Sequence, residues 1–280
     1  MIGPALVLSA LLAAASATAP PAVHRAAIRD RAAMVLIDAG NGTWAAFNPR
    51  TAGFDLVWRG DVDWRGKVFD FSQETSRPRG EVIMDRTAPI AMHASVTIAP
   101  GASFSLACPA DAATPPLPWH ALLVAFDEQV RQPVEVRVLE ADGTERMRFQ
   151  SSTNVSSDRE WQWNFKSVRG PALPATLVFT NRGTLPKPLR NIRLEGERVA
   201  WTDRAGAPLE VTWRGYEAIA DAVVLRFDLR AADGTTAAIE QRVGAAGRGL
   251  RLETSGIPAG SGWTSSLGAD PRSVDLGVEP

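Results

Sequence analysis

The stretch VEVRVLEADGTERMRFQ (134–150) decides the fold class. Val134, Val136 and Val138 alternate with Glu135, Arg137 and Leu139, a period of two that puts apolar side chains on one face of a strand. Asp142-Gly143 then supplies the positive-φ turn chemistry of a hairpin. A second run of the same design, AVVLRFDLRAADGTTAAIEQRV (222–243), turns at Asp233-Gly234. Between and around these two hairpins, strand signals recur every few residues. MVLIDAG (34–40), GTWAAFN (42–48) and GFDLVWRG (53–60) are separated by Gly-, Asn- and Pro-bearing turns and predict a three-stranded meander. HALLVAFDE (120–128), REWQWNFKSV (159–168), ATLVFTNRG (175–183), RNIRLEGERVAW (190–201), LEVTWRGYE (209–217) and GLRLETSGI (249–257) continue the pattern. No segment after residue 31 carries a convincing 3.6-residue period. The expectation is an all-β chain of one or two antiparallel β-sandwiches.

The chain opens MIGPALVLSALLAAASATAPPAVHR. Its uncharged run of about 14 residues is too short for a bilayer, which needs about 20. Ala15-Ser16-Ala17 fits a signal-peptidase site. A signal peptide over 1–17 and a periplasmic or secreted location are therefore expected, with 18–31 as a charged, Ala-rich linker or short helix. A jelly-roll-like sandwich over 88–195 is expected to interrupt an outer β-sandwich made of 32–87 and 196–275. The three copies of Trp-Arg-Gly, at 58–60, 64–66 and 213–215, are the sequence link between the outer parts.

A formal net charge of −1 leaves no basic field for a phosphate backbone, which argues against nucleic acid. Cys108 is the single cysteine, so neither an internal disulfide nor haem attachment is available, and a buried thiol is expected. His24, His93 and His120 show no metal spacing, and neither a nucleophile elbow nor a phosphate loop is present. No cofactor and no metal are expected. Carboxylates flanking a cleft would be needed for a glycan hydrolase or lyase, about 5 Å or about 6.5–9.5 Å apart. Asp61 and Asp63 in GDVDW, at i and i+2, are the leading pair, ahead of Asp70, Asp127-Glu128 and Asp158 with Glu160. Solvent-facing acids paired with Arg59 or Arg65 are the plainer reading of the same residues.

Aromatic content is more informative. Nine Trp stand against one Tyr, and Trp44, Trp58, Trp64, Trp161 and Trp163 fall in two short stretches. Trp faces stack on sugar rings while Arg and Asp bond the hydroxyls. Trp58 and Trp213 end apolar runs and read as sheet residues. Trp161, Trp163 and Phe165 alternate as an inward face. Trp64, outside an alternating strand, and Trp119, beside a Pro-rich run, are the candidate contact residues, with Arg59, Asp63 and Arg65 around Trp64.

Two resemblances extend this reading. LIDAGNGTWAAFNPRTAGFDLVWRGDVDWRG (36–66), with VTWRGYE and the second hairpin downstream, resembles an uncharacterised β domain of exported bacterial proteins fused to c-type cytochrome or sorbosone-dehydrogenase-like modules. That resemblance implies the non-haem subunit of a periplasmic redox complex. ATLVFTNRGTLPKPLRNIRLEG (175–196), with Asn191-Ile192-Arg193-Leu194, resembles the closing strands of galactose-binding-like jelly rolls found in carbohydrate-binding modules, with Arg190 where an Asp is common. The function expected is an exported, non-catalytic binding or accessory module for polysaccharide or a cell-envelope protein, without a membrane span after signal cleavage.

Overall fold

The computed structural model describes residues 20–29, 31–66, 68, 75–109, 119–125, 133–150, 160–164, 174–196, 198–268 and 270–277. The expected signal peptide and the candidate acids Asp70, Asp127, Glu128 and Asp158 lie outside them, as do the side chains of 119–125 and 160–164 and therefore those of Trp119, Trp161 and Trp163. Among the described residues the chain is all β, with no helix. None of its elements is accordingly a helix long and apolar enough to cross a membrane.

The first five strands are β1 (Ala22–Ile28), β2 (Arg31–Asp38), β3 (Thr43–Asn48), β4 (Gly53–Asp63) and β5 (Arg77–Asp85). They pair in chain order as an antiparallel sheet. The expected meander is there, extended by a strand on each side. β1 corrects the reading of 18–31 as a linker or short helix. Ala22 to Ala26 pair with Asp38 to Met34, and Ala26, Ala27 and Ile28 are buried. Ala-rich sequence favours a helix in isolation, but the open edge of β2 supplies backbone partners that outweigh so weak a preference.

β3 and the first part of β4 are buried on both faces, so the sheet has two cores. Val35, Ile37, Phe47, Phe54 and Val57 point one way. Met34, Leu36, Trp44, Ala46, Leu56, Trp58 and Val62 point the other. Between β3 and β4 the parity slips where Ala46 faces Leu56 and Phe47 faces Phe54, which leaves Asp55 as a bulge residue. Asp55 accepts a 3.0 Å hydrogen bond from Asn48 Nδ2 and faces the buried Arg31 at 3.9 Å.

Eight middle strands follow: β6 (Ala91–Ile98), β7 (Ser103–Cys108), β8 (Trp119–Ala125), β9 (Val134–Glu140), β10 (Glu145–Gln150), β11 (Glu160–Asn164), β12 (Ala175–Asn181) and β13 (Lys187–Gly196). They form two four-stranded sheets, ordered β6-β13-β8-β11 and β7-β12-β9-β10. Two interlocked Greek keys wound this way make a jelly roll. Its core holds Val134, Val136, Val138, Leu177, Phe179, Ile192 and Leu194. The alternation in 134–138 is the one that the sequence predicts. Cys108 is fully buried in this core, and desolvation pushes its thiol up to about 12. A thiol so held is un-ionised at neutral pH and inert.

The last strands are β14 (Trp201–Thr202), β15 (Glu210–Ala218), β16 (Ala222–Arg230), β17 (Thr236–Ala246), β18 (Gly249–Ser255), β19 (Thr264–Ser265) and β20 (Ser273–Leu276). β15 to β18 and β20 make a second five-stranded sheet, and β14 pairs β19. The inner residues Val223, Leu225, Phe227, Leu229, Ile239, Val243, Leu250 and Leu252 share one core with Val35, Phe47, Phe54 and Val57. Phe47 lies 5.3 Å from Trp213 and 6.2 Å from Phe227, ring to ring. The outer face of this sheet is laced with ion pairs, among them Arg226 with Glu217 and Glu240, and Arg251 with Asp275.

Candidate functional site

The site grows out of the end of β4. Trp58 is fully buried, and its indole N–H donates to the Asp61 carbonyl at 2.8 Å. Trp44, opposite it on β3, donates its indole N–H to the Gly60 carbonyl at 3.1 Å. The two rings are nearly parallel, 14° apart with centroids 6.0 Å from each other. Burying an indole requires a partner for its N–H, and the turning backbone at 60–61 supplies both.

That backbone is shaped by glycine. Gly60 faces Gly80 across β4 and β5, at φ of +128° and +130°. A Cβ on either would run into the carbonyl oxygen of Arg79 or of Arg59. Gly215 repeats the conformation at φ +136°, beside the register slip that leaves Arg214 as an extra residue in β15. The Gly of Trp-Arg-Gly thus stands at positive φ in all three copies, Gly66 at +64°, and in the first it also lets two backbones touch.

Beyond Asp63 the chain leaves the sheet, and Trp64 lies 47% exposed. It meets His24 of β1 at 5.0 Å and Trp44 edge-on at 6.0 Å, while His24 lies 5.8 Å from Trp44. Four rings therefore run from Trp58 in the interior, through Trp44, to His24 and Trp64 at the surface. Beside Trp64 opens a pocket of about 280 Å³, lined by Arg25, Arg65, Gly66, Val68 and Ser76 among others.

Ser76 fixes the pocket wall. Its backbone N–H donates to Ala27 O, and its carbonyl accepts from Arg29 N, both at 3.0 Å. Its buried hydroxyl accepts from Arg65 N and donates to Arg65 O, both at 3.1 Å. A short parallel bridge between Ile28 and Ser76 thereby ties the stretch carrying Trp64 to the free edge of β1. The indole stands on a supported wall.

The candidate residues separate into groups. Trp64 and Arg65 line the pocket together. Asp63 binds Arg65 at 2.9 Å, both half-exposed, the plain surface pairing that contributes little stability. Asp61, opposite Arg79, accepts from the Val62 N–H at 2.7 Å. Asp61 and Asp63 are alternate residues of β4, with Val62 buried between them, and neither lines the pocket. Arg59 is elsewhere: its side chain is 14% exposed and donates to Arg248 O at 2.9 Å, Gly277 O at 2.6 Å and Glu81 at 3.1 Å. It clamps the first sheet to the last. Trp119 opens β8, but its side chain lies outside the described residues. His24 and Arg25 are the contact residues missed by sequence reasoning. The short run AVHRAAI was the available signal, obscured by its alanines.

Among the described residues, no group of three His, Cys, Asp or Glu side chains is placed to hold a metal ion. The chain matches no protein-family model, no curated protein and no solved structure.

Proposed function

We propose that this protein is an exported, non-catalytic binding module that recognises carbohydrate through the exposed indole of Trp64. The observation that carries this reading is the aromatic ladder: Trp64 is held half-exposed against His24 and Trp44, beside a pocket lined by the two arginines Arg25 and Arg65. A flat apolar ring flanked by hydrogen-bonding groups complements the C–H face and the equatorial hydroxyls of a sugar. Rigid placement lowers the ordering cost of binding. The jelly-roll order of the middle strands and the resemblance of 175–196 to carbohydrate-binding modules point the same way, and the apolar leader supports export.

Native affinity electrophoresis against soluble polysaccharides tests the proposal. The wild-type chain is retarded by at least one of them, and Trp64→Ala migrates as if no polysaccharide were present, with an unchanged melting temperature. Free migration of the wild-type protein in every polysaccharide gel ends this reading.

A further inference from the structure

The pocket beside Trp64 carries an uneven charge. Arg25 and Arg65 both line it, and no carboxylate does among the described residues. Arg65 shares its charge with Asp63, which also stands opposite Arg77 in the β4–β5 register. Arg25 is different. It is half-buried on β1 and, among the described residues, makes no ion pair and no side-chain hydrogen bond. Many other arginines are matched, Arg29 with Asp85, Arg59 with Glu81, Arg214 with Asp228 and Arg242 with Asp221, while Arg77, Arg79 and Arg204, which make no ion pair among the described residues, are exposed to water. A guanidinium partly withdrawn from water and lacking an anion is set up for one, since its planar fork bonds a carboxylate through two parallel N–H groups.

We propose that the pocket selects a uronic acid residue, its ring on Trp64 and its carboxylate on Arg25. This rests on the carbohydrate reading above and narrows it to acidic polysaccharides. A neutral hexose would cover the indole but leave Arg25 without a counter-ion. A sulfate ester would match the charge and could also accept from the fork, but its terminal oxygens stand one bond further from the sugar ring than those of a uronate carboxylate.

Four soluble polymers separate these cases in native affinity gels of the full chain: polygalacturonate, the same polymer with its carboxylates methyl-esterified, a neutral glucan, and dextran sulfate. Polygalacturonate is expected to retard the protein, and the other three to do so weakly or not at all. Arg25→Gln should weaken retention by polygalacturonate about tenfold or more, the usual worth of a charged hydrogen-bonded pair. Arg230→Gln removes the same charge from an exposed position remote in sequence, on β16, and should leave retention unchanged. Retention by the neutral glucan or the esterified polymer equal to that by polygalacturonate overturns the uronate assignment while leaving carbohydrate binding in place. Equal retention by dextran sulfate, or equal losses in Arg25→Gln and Arg230→Gln, reduces the effect to general charge and also overturns it. Free migration in all four gels removes the carbohydrate reading together with its refinement.

Discussion

Trp58-Arg59-Gly60 and Trp64-Arg65-Gly66 are the same tripeptide six positions apart, and the fold gives them opposite duties. In the first, the indole is sealed in the interior, the guanidinium holds two backbone carbonyls of the last sheet and its tail, and the glycine lets β4 and β5 touch backbone to backbone. In the second, the indole faces water, the guanidinium pairs with a neighbouring aspartate, and the glycine, at φ +64°, lies beyond the strand. The difference is not in the residues. β4 is paired on both sides at Trp58, and the chain has left the sheet at Trp64. Local chemistry offers a set of roles, and the hydrogen-bond ladder picks one.

Substitutions can break or sharpen that contrast. The largest effect is expected from Trp58→Ala, which empties a fully buried site and should cost about 3–5 kcal/mol in chemical denaturation. Gly60→Ala adds a methyl group against the Arg79 carbonyl at a φ that L-residues avoid, and about 2–4 kcal/mol is expected from strain and overpacking. Arg59→Gln gives up its bonds to Arg248 O and Gly277 O. A loss of about 1.5–3 kcal/mol should appear in the same assay, with faster amide exchange at the end of β20. Trp64→Ala should move stability by less than about 1 kcal/mol while removing glycan retention. If Trp64→Ala proves as destabilising as Trp58→Ala, the two copies share a structural duty and the contrast collapses.

Strand after strand was legible where alternation or a turn dipeptide marked it: the Asp142-Gly143 and Asp233-Gly234 hairpins and the 34–60 meander are all in place. β5, β6 and β7 were not legible. RPRGEVIMD carries Pro78 and Gly80 inside a strand, which is allowed here because β5 is an edge and Gly80 crosses Gly60. AMHASVTI and SFSLAC are mostly polar or small and bury only a few residues each, so their period is faint. β1 was hidden because alanine is indifferent to its surroundings. At the candidate site, the exposure of Trp64 and the burial of Trp58 could be anticipated from their flanking residues. The approach of His24 to Trp64 and of Arg59 to Gly277 could not, because each depends on pairing between distant parts of the chain.

The core that joins Phe47 to Phe227 is built from the two flanking parts of the polypeptide, while the core of the jelly roll between them, among the described residues, is packed from its own strands. Loop closure over so long an insert carries an entropic penalty, and non-local strand pairing is slow. During synthesis the middle sandwich can therefore consolidate first, bringing the flanks close together. The wall bearing Trp64 belongs to the part that waits for the final strands to leave the ribosome. A truncation that removes β20 would thus disturb the surface around Trp64, more than two hundred residues upstream, without altering a single one of its side chains.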